Sequence, residues 1–372
     1  MKVDFFTFSS APKELKLDWQ EAISKVLDLG QFIGGSSVTA FENEWSEYLR
    51  IDHTIGVGNG YDALVIALKA LDVRPGDYVA VPSHTFIATW LAVDAVGAIP
   101  VGIDCDSNGL MDLNFLEMES IIFSVVISVH MHGQMVDMQR LMKWAKKQNI
   151  KVIEDCAQAH GAEIYGKKSG TWGDIGAFSF YPTKNLGAIG DAGAIVTNNE
   201  EIAARARSIA NYGSAPNNKY IYQYLGVNSR LDPIQAAVLS VNIKYLNSWN
   251  ESRRLIANKY SSGLREIGIP LFLPTAESVF HHYISISENR TTTRSLLKNQ
   301  GITTEIHYPV SAEDNYQNIK KINSNRNSPK ARELSQRILS LPISPWLKDT
   351  EIDYVLDQIS LESIRRSFLG EI

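Results

Sequence analysis

Short, almost wholly apolar runs alternate with amphipathic stretches of helical period over most of the first 250 residues. The runs have the length of strands, and their sequences are HTIGVGNG, DYVAVPS, IPVGIDCD, SVVISVHMHG, KVIEDCAQ, GAFSFYP and GAIVTNN. Helical patterns such as DALVIALKALDV and DMQRLMKWAKKQN separate the first five runs. Apolar runs joined by helices are typical of parallel strands that are buried on both faces. We therefore predict an α/β fold with a mostly parallel central sheet.

The pattern changes near residue 244, where a long charged helical stretch begins with the sequence KYLNSWNESRRLIANKYSSGLREIG. Beyond it we predict a strand at HHYISIS, a helix at TTRSLLKNQG, a strand at ITTEIHY and helices near 328–339 and 349–367. This second part is typical of a small α+β unit. We therefore expect a large α/β domain over residues 1–245 and a small domain over 246–372.

Composition adds limits to this picture. With 372 residues, 44% hydrophobic and 21% charged, the chain can bury a large core. Its net charge is -5 and its basic residues are dispersed, so we expect no nucleic-acid partner. The N-terminus lacks the apolar core of a secretory signal, and no apolar stretch is long enough to span a membrane. We expect a cytoplasmic protein without membrane contact.

Cysteine and histidine spacing argues against disulfides and metal sites. The two cysteines, Cys105 and Cys156, are far apart in sequence and form no CxxC motif. The histidine pairs at positions 130 and 132 and at 281 and 282 lack a carboxylate at ligand spacing. We therefore expect a reducing compartment and no metal.

Three glycines, at positions 56, 58 and 60, follow an apolar run and precede a helix. They do not complete a dinucleotide fingerprint, because position 61 is Tyr61 and the acidic Asp77 precedes its strand instead of ending it. Residues 59–62 can instead open the helix DALVIALKAL, whose free N–H groups would hold a phosphate. A simple glycine turn with Asp62 at the helix start also fits the segment.

Asp155 and Lys184 carry the strongest chemical signal. Asp155 ends an apolar run, where open α/β sheets bind ligands, and Lys184 lies in the small-residue loop FSFYPTKNLGAIGDAGAIV. Such a lysine can form a Schiff base with the aldehyde of pyridoxal 5'-phosphate, and a carboxylate can keep the pyridine nitrogen protonated. Asp155 also suits a turn cap. Gln158 could reach the ring oxygen, and Ser179 could donate its hydroxyl to the phosphate.

His160 follows in the same block as Asp155. It could support that carboxylate from behind, but a buried structural histidine explains it equally simply.

The blocks EDCAQAHGAEIYGKKSGTWGDIGAFSFYPTKNLGAIGDAGAIVTNN, NYG and GVNSRLDPIQAAVL resemble the DegT/DnrJ/EryC1/StrS family of sugar aminotransferases. The resemblance extends from about residue 34 to about residue 308. It implies the aspartate-aminotransferase fold, called fold type I, with pyridoxal 5'-phosphate as cofactor and L-glutamate as the usual amino donor. It also implies a homodimer whose active sites are shared between subunits.

The same resemblance implies roles for individual residues. Lys184 would be the catalytic Schiff-base lysine, Asp155 the partner of the pyridine nitrogen and Gln158 the contact to the ring oxygen. The remaining cofactor contacts would be Gly60, Tyr61 and Ser179 to the phosphate, Phe86 stacked on the ring, and Asn228 reaching the phosphate from the other subunit. For the substrate, we consider His84, Tyr181, Lys219, Tyr220, Arg230, His307 and Tyr308.

The variants GNGYDAL, PSHTFIATWLAV and GDAGAIV are similar to those of enzymes that aminate C-3 of a dTDP-linked 3-keto-6-deoxyhexose for a surface polysaccharide or glycan. Two positions depart from the family pattern. Tyr61 replaces a threonine that usually contacts the phosphate, and the segment SAEDNYQNI replaces the family's histidine and AY pair after IHYPV.

Other functions are open at this point. Amination at C-4 of a 4-keto-6-deoxy sugar is the main alternative, and a non-catalytic regulator that binds the cofactor is a second. A nicotinamide-dependent sugar oxidoreductase would use the three glycines. A dehydratase on the same scaffold is disfavoured, because related dehydratases have a histidine where this chain has Lys184.

Overall fold

The computed structural model describes residues 1–216, 218–272, 277–321 and 327–371. All seven strands predicted in the first 200 residues are present in it. In chain order, the strands are β1 His53–Val57, β2 Tyr78–Pro82, β3 Ile99–Ile103, β4 Val125–Val129, β5 Lys151–Asp155, β6 Glu163–Ile164, β7 Lys167–Lys168, β8 Ile175–Ser179, β9 Gly193–Thr197, β10 Ser214–Ala215, β11 Asn218–Tyr222, β12 Tyr283–Ile286 and β13 Ile338–Leu341.

The helices cover most of the remaining chain. They are α1 Lys13–Leu29, α2 Ser36–Leu49, α3 Gly60–Ala70, α4 Ala88–Ala95, α5 Leu113–Glu117, α6 Met138–Gln148, α7 Glu200–Ala210, α8 Pro233–Asn242, α9 Leu246–Glu266, α10 Arg290–Asn299, α11 Ala312–Lys320, α12 Pro329–Arg337, α13 Asp349–Ser360 and α14 Glu362–Leu369. Three short 3-10 helices occupy Phe8–Ser10, Met131–Gly133 and Ile243–Tyr245.

One seven-stranded sheet organises the first 200 residues. Its strand order is β1-β9-β8-β5-β4-β2-β3. Neighbouring strands from β8 to β3 run parallel, whereas β9 runs antiparallel to both β8 and β1. The carboxyl ends of the parallel strands therefore meet at one edge, which is where such sheets bind ligands. Our prediction of a mostly parallel α/β sheet is confirmed.

Both faces of this sheet are covered by helices. Along β9, Ile195 packs in a cluster with residues of α3, while its neighbours Ala194 and Val196 pack with residues of α2 and α8. Successive residues of a strand point to opposite faces, so this alternation shows that helices lie on each side. The uninterrupted apolar character of the strands follows from this double burial.

The C-terminal part has a hydrophobic cluster of its own, built from residues between 256 and 368 together with Val3. The predicted strand at HHYISIS is present as β12, and its partner is β13, which the sequence did not predict. The predicted strand at ITTEIHY is wrong, because Ile302 and Glu305 form only isolated bridges. The division of the chain at residue 245 stays a prediction.

No helix in the described ranges is both long and apolar enough to cross a membrane.

Candidate active site

Lys184 lies in the loop that joins β8 to β9, at the carboxyl edge of the sheet. Its neighbour Asn185 fixes this loop: the Asn185 amide donates to Asn250 Oδ1 at 2.8 Å and to the carbonyl of Val279 at 2.9 Å. His281 Nδ1 lies 3.0 Å from Asn185 Oδ1. The loop is thereby tied to both α9 and the segment that precedes β12.

Burial lowers the pKa of Lys184 to about 8, although the negative charge of Asp155 acts in the opposite direction. An ordinary lysine is almost fully protonated near neutral pH. Lys184 therefore has a much larger neutral fraction than an exposed lysine, and only the neutral amine can attack a carbonyl or accept a proton.

Asp155 is the last residue of β5 and is only 6% exposed. Its Oδ2 accepts a hydrogen bond from Thr89 Oγ1 at 3.0 Å, and its Oδ1 accepts one from the N–H of Ala157 at 3.2 Å. Burial raises the pKa of Asp155, while these hydrogen bonds and the charge of Lys184 act to lower it. The protonated pyridine nitrogen of pyridoxal 5'-phosphate would stabilise such a buried carboxylate.

The carboxylate next to it, Glu154, was not predicted to matter. It is fully buried and accepts hydrogen bonds from His130 Nε2 at 3.0 Å and from the backbone N–H groups of Gly170, Trp172 and Gly173 at 3.0, 2.7 and 2.8 Å. Adjacent acidic residues at a strand end give no sequence signal of which one faces inward. Glu154 anchors the strand end that carries Asp155.

His130, Glu154 and Cys156 place possible metal-ligand atoms within 4.8 Å of one another. Both oxygens of Glu154 already accept hydrogen bonds, and His130 Nδ1 accepts one from the N–H of Val136 at 3.3 Å. The group is therefore a hydrogen-bonded support for β5.

Gly60 and Ser179 meet at the start of α3, and their shared contact with a phosphate stays a prediction. A Cβ on Gly60 would lie 2.5 Å from Ser179 Cβ, so only glycine fits at this contact. Asn59 caps the helix, because its Oδ1 accepts a hydrogen bond from the N–H of Asp62 at 2.8 Å. The N–H groups of Gly60 and Tyr61 come before any intrahelical acceptor is available, which leaves them for an anion.

Tyr308 contacts two other residues of the predicted site, Gln158 and Phe86. Gln158 Nε2 donates to Tyr308 Oη at 3.1 Å, and the ring of Phe86 lies 5.4 Å from that of Tyr308. Phe86 is 52% exposed, which is unusual for a phenylalanine at the carboxyl edge of a buried sheet. An exposed ring in this position can stack on a planar ligand.

His160 is packed among Trp45, Phe178 and Phe180, and its Nε2 lies 2.9 Å from the carbonyl oxygen of Ser179. Burial lowers the pKa of His160 to about 3, so the ring is neutral and donates to that carbonyl. This arrangement agrees with a structural histidine that holds the end of β8.

His84 and His307 belong to a histidine cluster, which we define as His84, His132, His281, His282 and His307; all of them except the half-buried His307 are buried. His84 is 1% exposed, and its Nε2 lies 3.3 Å from His132 Nε2. The ring of His307 stacks on that of His282 with 3.7 Å between centroids. His84 therefore lies in this cluster instead of on an open face, and its contact with a sugar stays a prediction.

Of the other predicted substrate residues that the structure describes, two are exposed and one, Arg230, is half-buried. Tyr181 and Tyr220 are exposed, and Arg230 Nη1 donates to Asn211 Oδ1 at 3.1 Å. Asn228 is exposed as well and bridges to Asn211 through its backbone. Tyr181 lies beside Lys184, whose backbone N–H donates to the carbonyl oxygen of Tyr181 at 2.8 Å. The side chain of Lys219 lies outside the described part of the structure.

The segment SAEDNYQNI, which departs from the family pattern, forms α11 with Ser311 as its cap. Glu313 Oε2 accepts hydrogen bonds from Ser83 Oγ at 3.1 Å and from Ser328 Oγ at 2.5 Å, and Tyr316 Oη donates to Asp94 Oδ1 at 2.9 Å. The segment is thereby anchored to the large sheet and its helices.

A lysine of lowered pKa, a buried carboxylate at a strand end and a glycine-serine contact at a helix start together fit pyridoxal 5'-phosphate. The chain has the fold and the site of an enzyme that depends on this cofactor. The profile of the DegT/DnrJ/EryC1/StrS aminotransferase family matches residues 13–360, and the chain belongs to this family.

Individual relatives agree with this assignment. The chain is 40% identical over 364 residues to the dTDP-3-amino-3,4,6-trideoxy-alpha-D-glucose transaminase of Streptomyces venezuelae, covering 96% of this chain and 95% of that protein. It is also 40% identical over 337 residues to the UDP-N-acetyl-3-dehydro-alpha-D-glucosamine 3-aminotransferase of Acidithiobacillus ferrooxidans, covering 89% of each.

Solved structures share the whole fold. The S. venezuelae enzyme DesV, solved in complex with a ketimine intermediate, superposes with a TM-score of 0.92 at 38% identity over 97% of this chain and 98% of that chain. NtdA from Bacillus subtilis, solved with bound cofactor PMP, gives a TM-score of 0.88 at 29% identity over 98% and 85%. The protein is therefore a pyridoxal phosphate-dependent sugar aminotransferase.

Proposed function

We propose that this enzyme transfers the amino group of L-glutamate to C-3 of a dTDP-3-keto-6-deoxyhexose, giving a dTDP-3-amino-3,6-dideoxyhexose. The transaminase chemistry is supported by Lys184 and Asp155, which are both buried and interact electrostatically. Burial lowers the pKa of Lys184 to about 8, and it raises the pKa of Asp155. Support for C-3 comes from relatives that are named for amino groups at that carbon. One of these acts on a UDP-linked sugar, so the nucleotide needs its own test.

In this proposal, residues of the described part of the chain would hold the cofactor. The N–H groups of Gly60 and Tyr61, with the hydroxyl of Ser179, bind its phosphate. Asp155 would accept a hydrogen bond from the protonated pyridine nitrogen, and Phe86 would stack on the ring. When bound, the cofactor supplies an electron sink for the carbon that gains or loses a proton.

Lys184 would have two duties. Its amine would hold the aldehyde of the cofactor between turnovers, and it would move a proton while the amino group of a substrate takes its place. A pKa of about 8 suits both duties, because the amine is neutral in a useful fraction of molecules yet basic enough to accept a proton. Asp155 raises the pKa of the lysine and so limits how far burial lowers it.

The sugar nucleotide requires cationic and hydroxyl groups outside the cofactor pocket. We propose Tyr181, Tyr220, Arg230 and Lys219 for the diphosphate, with His84, His307 and Tyr308 on the hexose side. Tyr308 is well placed for contact with the hexose, because it contacts both Gln158 and Phe86.

We further propose that two chains share each active site. Tyr220 and Leu225, at and just after the β10–β11 hairpin, are 75% and 91% exposed, and Ile221 and Tyr222 are exposed as well. A second copy of the chain would bury these apolar side chains. Asn228 follows the same hairpin and would reach the phosphate of the partner's site.

The regiochemistry is tested by supplying the enzyme and glutamate with a 3-keto and, separately, a 4-keto dTDP-6-deoxyhexose, and by locating nitrogen in the product by NMR. The proposal expects turnover of the 3-keto sugar with nitrogen at C-3. Turnover of the 4-keto sugar alone would overturn the C-3 assignment and leave the transaminase chemistry intact. The same assay with a UDP-linked 3-keto sugar decides the nucleotide.

A further inference from the structure

His132 has a backbone conformation that few residues other than glycine adopt. It follows β4 in the 3-10 helix at Met131–Gly133, with φ of 59° and ψ of 10°, and it is only 2% exposed. The left-handed region is disfavoured for residues with a Cβ, so surrounding contacts must hold a side-chain-bearing residue there.

The imidazole of His132 supplies such contacts through both of its nitrogens. Its Nε2 lies 3.3 Å from His84 Nε2, and its Nδ1 lies 3.2 Å from His282 Nδ1. His84 follows β2 in the large sheet, whereas His282 precedes β12 in the C-terminal part. A neutral imidazole has one donor and one acceptor nitrogen, so it can satisfy both neighbours at once. The ring is therefore fixed between the two parts of the chain.

The backbone of His132 contacts a residue of the proposed cofactor site. Its N–H donates to Gln158 Oε1 at 2.7 Å. A backbone N–H can only donate, so this bond fixes which end of the Gln158 amide carries the oxygen. The amide nitrogen must then point the other way, where one of its hydrogens goes to Tyr308 Oη at 3.1 Å. The second hydrogen is left for another acceptor.

We propose that His132 is a positioning residue, which holds the Gln158 amide so that its nitrogen donates to the ring oxygen of pyridoxal 5'-phosphate. The His84 and His282 contacts fix the ring, the ring fixes the left-handed backbone, and the backbone N–H orients the amide. This inference rests on the cofactor contact of Gln158 in the proposed function. It assigns His132 no contact with the cofactor or the substrate.

The test uses the visible absorption band of the cofactor bound to the full-length enzyme and the pH at which that band changes. A hydrogen bond to the ring oxygen stabilises its negative charge once the nearby lysine nitrogen has lost its proton. Loss of that hydrogen bond should therefore raise the midpoint, by about one pH unit. We expect this rise in His132→Phe, which keeps a ring but removes both nitrogens, and in Gln158→Leu.

The double variant that combines His132→Phe and Gln158→Leu shows whether His132 acts through Gln158 or shifts the midpoint independently. If His132 acts through Gln158, the double variant shifts the midpoint no further than Gln158→Leu alone. An unshifted midpoint in His132→Phe, or shifts that add in the double variant, would overturn the proposal. Leu297→Ala is the control, because it destabilises the C-terminal cluster at a fully buried site and should leave the midpoint unchanged.

Should His132→Phe fail to fold, His282→Leu removes only one contact of the ring, and it must raise the midpoint in the same direction by a smaller amount. An unshifted His282→Leu would then refute the proposal. If the unaltered enzyme shows no visible cofactor band at all, the proposed role of Lys184 fails.

Discussion

Replacing Gly60 with alanine tests the phosphate site at its tightest contact. The added Cβ would lie 2.5 Å from Ser179 Cβ and 3.0 Å from Ser179 Cα, whereas carbon atoms in contact are normally about 3.5–4.0 Å apart. The start of α3 must therefore move away from β8 by about 1 Å. The two elements that we propose to hold the phosphate would separate.

The size of the effect follows from the hydrogen bonds that this movement breaks. Overpacking of this kind costs about 1–3 kcal/mol in stability. Each hydrogen bond to a charged group contributes about 1.5–3 kcal/mol, so losing one weakens cofactor binding by roughly 10- to 150-fold. Titration of the cofactor-free protein with pyridoxal 5'-phosphate, followed by absorbance, measures this loss directly.

Gly263→Ala is a matched control. Its Cβ would lie 2.7 Å from Leu356 Cδ2, a contact of similar tightness in α9 that lies outside the proposed cofactor site. We expect this variant to bind the cofactor as tightly as the unaltered protein. If Gly60→Ala also bound the cofactor with unchanged affinity, the phosphate would not lie between α3 and Ser179.

Three further predictions concern the buried charges. Cofactor capture by the cofactor-free protein should accelerate about tenfold per pH unit up to about pH 8 and then level off, because only neutral Lys184 reacts; a rise that continues to about pH 10.5 would contradict its lowered pKa. Because burial raises the pKa of Asp155, its ionised form destabilises the cofactor-free fold above that pKa. Asp155→Asn should therefore melt at the same or a higher temperature at pH 7 and lose this advantage in acid, while turnover falls roughly 10²–10³-fold; a lower melting temperature at pH 7 would refute this. Glu154→Gln should lower the free energy of unfolding by about 3 kcal/mol, measured with urea, because one amide oxygen cannot replace two oxygens that accept four donors; a loss below about 1 kcal/mol would show that these contacts are dispensable.

The sheet could be predicted from the sequence because its strands are buried on both faces and so consist of unbroken apolar runs. The same property hides strand direction, since an apolar run does not show that β9 runs antiparallel to its neighbours. The strand predicted at ITTEIHY failed because two apolar residues, Ile302 and Ile306, are also satisfied by packing in a loop. Strand β13 follows α12 directly and is too short to show a period of its own.

For the proposed site, the flanking residues pointed to Asp155 and Lys184. The residues that hold the surrounding loops could not be predicted from the sequence, because they act through contacts between distant parts of the chain. Asn185 and His281 are 96 residues apart, and His132 and His282 are 150 residues apart. A histidine at position 132 is also unremarkable in sequence until its left-handed backbone is known.

The central claim is that Lys184 holds pyridoxal 5'-phosphate. Treating the enzyme with borohydride fixes the cofactor to the lysine that carries it, and mass spectrometry of the digested protein then identifies that residue. The account predicts that the cofactor mass is found on the peptide containing Lys184, and that Lys184→Ala shows neither this mass nor turnover. Cofactor attached to another lysine, or full turnover by Lys184→Ala, would contradict it.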